Sequence, residues 1–285
     1  MPDFREPILN RPFLVAQISD LHLKAGQRLT YGVVDTLGAL RRAVDHLNAT
    51  YPRPDIVVIS GDLVDFGRAD EYAVLHPELA RLQMPCYLVP GNHDNRQHLL
   101  DAFGDHRYLP ASADGPLDWV VDDYPVRLIG LDSTIPDAHG GQLLDSQLQW
   151  LDQQLALQPH VPTLLILHHP PFISGIGHMD REPFVNAAAL EKIIARHPQV
   201  ERLLCGHLHR PMQRRFGGSV SCVCPGTSHQ IVLDLQEAAP AHFNLEPAGY
   251  LLHRWDEQQG LVSHNGVFGD YPGPYPFYDA HGLID

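Results

Sequence analysis

The stretch Phe13-Leu14-Val15-Ala16-Gln17-Ile18-Ser19-Asp20-Leu21-His22 decides how the chain is read. Its first part is a short, almost wholly apolar run of strand length with no polar face, so it reads as a strand buried on both sides. It then stops abruptly at a carboxylate and an imidazole. The same pattern recurs along the chain. Ile56-Val57-Val58-Ile59 runs through Ser60 into Gly61-Asp62-Leu63-Val64-Asp65, and Cys86-Tyr87-Leu88-Val89 runs through Pro90 into Gly91-Asn92-His93-Asp94. Thr163-Leu164-Leu165-Ile166-Leu167 runs into His168-His169-Pro170-Pro171, and Val200-Glu201-Arg202-Leu203-Leu204-Cys205 into Gly206-His207-Leu208-His209. A sixth run of the same kind spans residues 126–131.

Segments with helical spacing lie between these runs, at residues 34–47 (Leu37, Leu40, Val44, Leu47), 71–82, 145–157 and 186–197. Strand alternating with helix predicts an α/β fold with a substantially parallel sheet. In such sheets the carboxyl ends of the strands converge on the side where ligands bind, so the Asp, Asn and His residues that end the runs are expected to meet. Glycine stands immediately before Asp62, Asn92 and His207, where it permits a sharp turn and close approach of the backbone. After about residue 210 the pattern changes to closely spaced short strands at 212–216, 219–224, 230–235, 250–255 and 261–264. These are expected to form a second sheet completing the same domain, which would end near residue 267. Residues 268–285 carry prolines among aromatic residues and read as an extended arm that packs on the body or on a second subunit.

Composition limits what such a domain can bind. The chain has 285 residues with 20 Lys+Arg against 34 Asp+Glu, a formal net charge of −14, and 19 His. Only two lysines occur, Lys24 and Lys192. A surface of this kind is unsuited to a nucleic-acid polymer or an anionic membrane, which are recruited by fields of Lys and Arg. An anionic substrate would have to be held by local positive charge, and bound metal ions with histidine ligands are one source of it. The N-terminal residues lack the basic end and apolar stretch of a signal peptide, and no apolar run approaches the roughly 18 residues of a membrane span. A soluble, cytoplasmic protein is expected. The four cysteines form no Cys-x-x-Cys pair, which fits buried reduced thiols.

The donors gathered at the strand ends are carboxylates, an amide oxygen and imidazoles, with no thiolate, a set suited to divalent Fe, Mn, Zn or Co. If one carboxylate bridges, the set suffices for two ions. In order along the chain, Asp-x-His, Gly-Asp-x-x-Asp, Gly-Asn-His-Asp, His-His-Pro-Pro and Gly-His-x-His resemble the motif series of the calcineurin-like metallophosphoesterase superfamily, over residues 20–209. Within it the chain is similar to the class III cyclic nucleotide phosphodiesterases, and more closely to the bacterial glycerophosphodiesterases of that branch. The closer likeness rests on Tyr31-Gly32, on Gly226-Thr227-Ser228-His229-Gln230 and on the tail bearing Gly273-Pro274.

The resemblance implies a four-layer α/β/β/α sandwich of two mixed sheets flanked by helices. It implies one metal held by Asp20, His22, Asp62 and His209, and a second held by Asp62, Asn92, His168 and His207, with Asp62 bridging. His93 would be the catalytic histidine beside the substrate phosphate, and His169 would point away from the ions. Asn92, His93 and His229 are the expected substrate contacts. Two ions about 3.5–4 Å apart lower the pKa of a bound water, orient a phosphodiester for in-line attack and stabilise charge on its oxygens. The implied activity is hydrolysis of small phosphodiesters such as glycerophosphodiesters, with 3',5'-cyclic nucleotides as the alternative and phosphomonoesters ranking below both. The family also implies a homo-oligomer. Among residues outside the motifs, Asp65 is expected to orient a turn or a ligand. Asp94 and Asn95 are expected to satisfy the free amides of a helix over 97–103, and the loop 174–180 could cap the site. Neither Gly-x-Ser-x-Gly nor a glycine-rich nucleotide loop occurs, which disfavours serine hydrolase and phosphotransfer chemistry.

Overall fold

The computed structural model describes residues 11–284. Strand β1 (Phe13–Ile18), β2 (Ile56–Ser60) and β3 (Cys86–Val89) lie parallel and adjacent in one sheet. The second sheet holds β4 (Trp119–Val121), β5 (Arg127–Leu131), β6 (Thr163–Leu167), β7 (Val200–Cys205), β8 (Met212–Phe216) and β9 (Ser219–Val223). Its order is β4-β5-β6-β7-β9-β8, with β5, β6, β7 and β9 parallel and the two edge strands antiparallel.

Beyond β9, the ladder of β10 (Gln230–Ile231) with β11 (Phe243–Asn244) stands apart. Strands β12 (Gly249–Asp256) and β13 (Gly260–Val267) return to the first sheet, where β12 pairs antiparallel with β1. The strands after residue 210 therefore do not make a sheet of their own. Strands β8, β9, β12 and β13 are divided between both sheets, because alternation of residues states that a strand exists but not which edge receives it. The 230–235 segment is strand only at Gln230–Ile231, and Leu233 and Leu235 are exposed. Helix α1 (Thr36–Ala49) and α2 (Ala69–Leu79) follow β1 and β2; α3 (Arg96–Phe103), α4 (Asp145–Leu157) and α5 (Ala187–Arg196) follow β3, β5 and β6.

Three apolar layers account for this arrangement. Val15, Ile56 and Val58 point between the sheets, where they meet Trp119, Leu128, Leu164 and Ile166. Their sequence neighbours Ala16, Val57 and Ile59 point the other way, against Leu40, Val44 and Leu47 of α1 and Leu75 of α2. Leu165, Leu167 and Leu203 likewise leave the second sheet toward Leu151 and Leu155 of α4 and Ile194 of α5. A strand covered on both faces must be apolar at every position, which is why the runs show no alternation; each fully buried Val, Leu or Ile contributes about 1.5–3 kcal/mol. The layers are helix, sheet, sheet, helix.

Both parallel sheet cores present their carboxyl ends to the same region. In the tail, Phe268 stacks on Tyr250 at 5.0 Å between ring centroids. From there Tyr271, Tyr275, Phe277 and Tyr278 are exposed, and among the described residues β14 (Tyr278–Asp279) pairs only with β15 (Gly282–Leu283). Among the described residues, no helix is long and apolar enough to cross a membrane. All four cysteines are free.

Candidate metal centre

The first sheet delivers Asp20, His22, Asp62, Asn92 and His93 from the ends of β1, β2 and β3, and the second delivers His168, His207 and His209 from β6 and β7. Asp20, His22, Asp62 and His209 gather as one buried group with donor atoms mutually within 4.8 Å. His22 Nε2 lies 3.1 Å from His209 Nε2 and 3.5 Å from Asp62 Oδ2, and His209 Nε2 lies 3.4 Å from Asp20 Oδ1. On the other side of Asp62, His168 Nε2 is 3.3 Å from Asp62 Oδ2 and 3.1 Å from Asn92 Oδ1. His207 Nδ1 is also 3.1 Å from Asn92 Oδ1. Asp62 thus adjoins both groups.

The backbone at these corners is unusual. Asp20, His22, Asp62, His207 and His209 have φ of 55°, 44°, 49°, 70° and 48°. Left-handed backbone at residues other than glycine costs about 1–3 kcal/mol each and persists only where surrounding bonds hold it. Those bonds are present: Leu21 and His22 N–H both donate to Asp62 O at 2.8 and 3.0 Å, and His207 N–H donates to the Asp20 carboxylate at 3.0 Å. Gly61, with φ 93°, lets the chain pass under the His168 ring, where a Cβ would collide. At Gly91 a Cβ would strike Asp62.

Asp94 departs from the sequence expectation. Its carboxylate accepts from Gly91 N, Leu63 N, Val64 N and Tyr72 Oη, at 2.8, 3.0, 3.3 and 2.8 Å, tying the Asp62 and Asn92 loops together. Burial, then the charge of Asp62, raises its pKa to about 6. The cap of α3 falls to Asn95 alone, which accepts from His98 N at 3.0 Å.

The orientation of the rings tests whether the group suits a cation. His168 Nδ1–H donates to Ser60 O at 2.7 Å and His209 Nδ1–H to His229 O at 3.1 Å, so both rings turn Nε2 toward the oxygens of the cluster. An imidazole nitrogen without a proton facing carboxylate and amide oxygens is a set of opposed lone pairs, which only a proton or a metal ion relieves. Two donors each about 2.1 Å from one ion, at octahedral to tetrahedral angles, stand about 3.0–3.4 Å apart. The donor separations match that spacing, and the residues present fit divalent ions.

Electrostatics agrees in direction. Burial alone would lower His168, but Asp62 and Asp20 outweigh it and raise it to about 9. His22 is raised against its burial by Asp65, Asp62 and Asp20. Asp62, though buried, is held well below the usual carboxylate range by His168, His93 and His22. Burial and the neighbouring rings push His207 and His209 down to about 3. His22 Nδ1 is buried without a hydrogen-bonded partner, 3.4 Å from Asp65 Oδ1, and Asp65 in turn pairs with Lys24 Nζ at 3.0 Å.

His93 sits at the edge of the cluster. Its Nδ1–H donates to Asp65 O at 2.8 Å and its backbone N–H to Asp62 Oδ1 at 2.9 Å. His169 is taken up by the protein, donating from Nε2 to His139 O at 3.1 Å and meeting Ser133 Oγ with Nδ1 at 2.9 Å. His229, 1% exposed, offers its carbonyl to His209 while its ring lies 5.5 Å from that of Tyr31.

A cavity of about 620 Å³ opens above His22, Asp62, Asn92, His93, His207 and His209. Its remaining wall includes Tyr31, His229 and Phe243, and also His139, His178, Arg181, Glu182 and His242. Arg181, Glu182, His139 and His242 escaped the sequence reading because they belong to no strand-end motif. The one signal, for Arg181 and Glu182 alone, was that the loop before them follows the strand bearing His168.

The profile of the family described as calcineurin-like phosphoesterase matches residues 13–211. The chain belongs to the calcineurin-like metallophosphoesterases, in the branch of the glycerophosphodiester and cyclic nucleotide phosphodiesterases. It is 38% identical to a probable glycerophosphodiester phosphodiesterase GpdQ of Arcobacter nitrofigilis over 95% of this chain and 100% of that one. It is 30% identical to the 3',5'-cyclic adenosine monophosphate phosphodiesterase CpdA of Escherichia coli K12, over 76% of each. Its fold is similar to that of a dimetal phosphatase from Danio rerio, with a TM-score of 0.59 at 16% identity, covering 91% of this chain and 100% of that one.

Proposed function

We propose that the chain hydrolyses small phosphodiesters, glycerophosphodiesters foremost, with two divalent ions (Fe, Mn, Zn or Co). The observation that carries the reading is the pair of donor groups sharing Asp62: Asp20, His22, Asp62 and His209 for one ion, and Asp62, Asn92, His168 and His207 for the other. When bound, the ions supply Lewis-acid polarisation of the phosphate and activation of water. The chain's own residues do the rest. Ser60 O and His229 O fix the rings of His168 and His209, so their Nε2 atoms are aimed before any ligand arrives. Asp65 O holds His93 through Nδ1, leaving Nε2 free to donate a proton to the leaving oxygen or to hydrogen-bond a phosphoryl oxygen. Tyr31 stays protonated, its pKa pushed up to about 12 by burial and by Asp65, Asp62 and Asp20, and offers a hydroxyl donor at the cavity wall. Asn92 and His229 complete the substrate contacts.

One observation favours a second reading, 3',5'-cyclic nucleotides. The Tyr31 and Phe243 rings, 4.9 Å apart, line the cavity and offer aromatic surface to a purine. Rates on a glycerophosphodiester and on cyclic AMP, after reconstitution with each metal, separate the two. Bis-p-nitrophenyl phosphate against p-nitrophenyl phosphate tests the diesterase reading, which a strong monoester preference would overturn. A cytoplasmic enzyme without nucleic-acid or membrane partners fits the acidic charge balance. The catalytic domain is assigned to residues 1–267, and the exposed aromatic side chains of the 268–285 arm suit contact within a homo-oligomer.

A further inference from the structure

The sixth buried strand ends differently from the other five. β5 stops at Asp132, and this residue belongs to neither donor group. It is nonetheless buried and fully engaged. Its Oδ1 accepts from Thr134 N–H at 3.0 Å and Thr134 Oγ1–H at 2.6 Å, and its Oδ2 accepts from Leu117 N–H at 2.9 Å and Arg96 Nε–H at 2.6 Å. Arg96 Nη2 then donates to Thr134 Oγ1 at 2.9 Å and Thr134 O at 3.2 Å. The Nε–Nη2 fork of the guanidinium is thus taken up whole by one strand end.

Arg96 is an odd residue for its place. It opens α3, whose first turn holds no acid, and a cation there faces the positive end of the helix dipole. Helix formation does not ask for it. What the position offers is proximity, since Asn92 and His93 lie four and three residues earlier, on the loop that leaves β3. Asp94 ties that loop to the Asp62 loop, but both belong to the first sheet. The second donor group also needs His168 and His207, which the other sheet supplies, and Asn92 Oδ1 lies 3.1 Å from a ring nitrogen of each. The Arg96–Asp132 pair crosses between the sheets at this junction. Ser133, the next residue, accepts at Oγ from His169 N–H at 3.2 Å, beside His168. The end of β5 therefore bonds to the chain next to each half of the second group.

We propose that Arg96 and Asp132 are positioning residues for the second ion: their pair holds the Asn92 loop against the sheet that supplies His168 and His207, and so sets the affinity of a position neither residue touches. A neutral amide attracts a cation less than a carboxylate does, so this group depends on the placement of its donors more than the first group, which has two carboxylates. The inference rests on the two-ion reading and deepens it.

The test starts from the metal-loaded enzyme, dialysed against buffers of falling free Mn²⁺, with metal per chain measured at each step. The wild-type enzyme is expected to lose its ions in two steps, the Asn92 position emptying before the Asp20 position. Arg96→Gln should empty the Asn92 position at about 10–100-fold higher free Mn²⁺, the usual cost of removing a group that orients a ligand. The Asp20 position should be unmoved. Arg96→Lys, which keeps the charge but not the fork, should fall between, and Thr134→Val, which removes the hydroxyl joining Arg96 to Asp132, should move the same step in the same direction. Turnover of Arg96→Gln should return toward the wild-type rate at saturating Mn²⁺, because the ligands themselves are intact. A purely structural ion pair gives another pattern, a lowered melting temperature with both steps moved together or neither moved. Either result in Arg96→Gln or, should that variant not fold, in Arg96→Lys and Thr134→Val would overturn the positioning role. A wild-type enzyme that holds no more than one ion at saturating Mn²⁺ would instead overturn the two-ion reading.

Discussion

The two donor groups that share Asp62 are built differently. The first has two carboxylates and two imidazoles, all buried, with Asp20 fully so and His22, Asp62 and His209 at most 4% exposed. The second has no carboxylate of its own. It borrows Asp62, adds the neutral amide of Asn92, and leaves Asn92 and His207 half-buried on the cavity. Charge count and enclosure govern how tightly a divalent ion is held, so in the proposed two-ion centre the first position would be the firmer one and the second, facing the cavity, the one a substrate would reach.

The severest way to break this comparison is Asp62→Ala. It should empty both positions and abolish turnover, and metal analysis finding one ion retained would show that Asp62 is not shared. Next, His93→Ala should reduce kcat by about 10²–10⁴, the span of general acid–base catalysis. Metal content should be unchanged, and a metal-free His93→Ala protein would place His93 among the ligands. Asn92→Asp sharpens the contrast by giving the second group a carboxylate of its own. Its affinity should tighten about tenfold while the first position is unaltered, as titration with two distinguishable metals would reveal.

The smallest effect lies beneath the site. His253 is fully buried, bonded to Gln17 Oε1 at 3.1 Å and Ser263 Oγ at 2.7 Å, and Gln17 Nε2 reaches across to Cys205 O at 2.9 Å, joining the sheets. Burial, with the charges of Arg202 and His264, lowers its pKa to about 3. The unfolded chain binds this proton first, so the stability it contributes is present above about pH 6.5 and is lost as pH falls toward 3. At pH 5 the loss is about 2 kcal/mol. Urea unfolding of His253→Gln at pH 7 and pH 5 should show a difference smaller by that amount than in the parent.

The firm half of this picture was legible in the sequence and the open half only in part. That the strand-end Asp, Asn and His residues meet could be expected because a strand buried on both faces advertises its own end and parallel order brings the ends together; the choice of Asp20, His22, Asp62, Asn92, His168, His207 and His209 among them came from the motif resemblance. Arg181 and His242 carry no such signal, since loops place them by tertiary packing alone. Asp94 was misread for a related reason: a carboxylate before a helix suits a cap, but four donors from the Asp62 and Asn92 loops compete for it and win. The return of β12 to pair with β1 was equally invisible, because its residues would have suited either sheet edge.

The left-handed corners at Asp20, His22, Asp62, His207 and His209 bear on supply rather than catalysis. Their hydrogen bonds hold these corners, and cations bound there as proposed would add to that hold, since a ligand bound only by the folded form stabilises it in proportion to the logarithm of its concentration over Kd. Chelation should therefore lower the melting temperature by several degrees, about 2–4 °C for each kcal/mol lost in a chain of this size; a melting temperature unchanged by chelation would refute the dependence. In a cell short of metal, fewer molecules would survive proteolysis, so scarcity would act on the abundance of the enzyme before it acted on the rate of each copy.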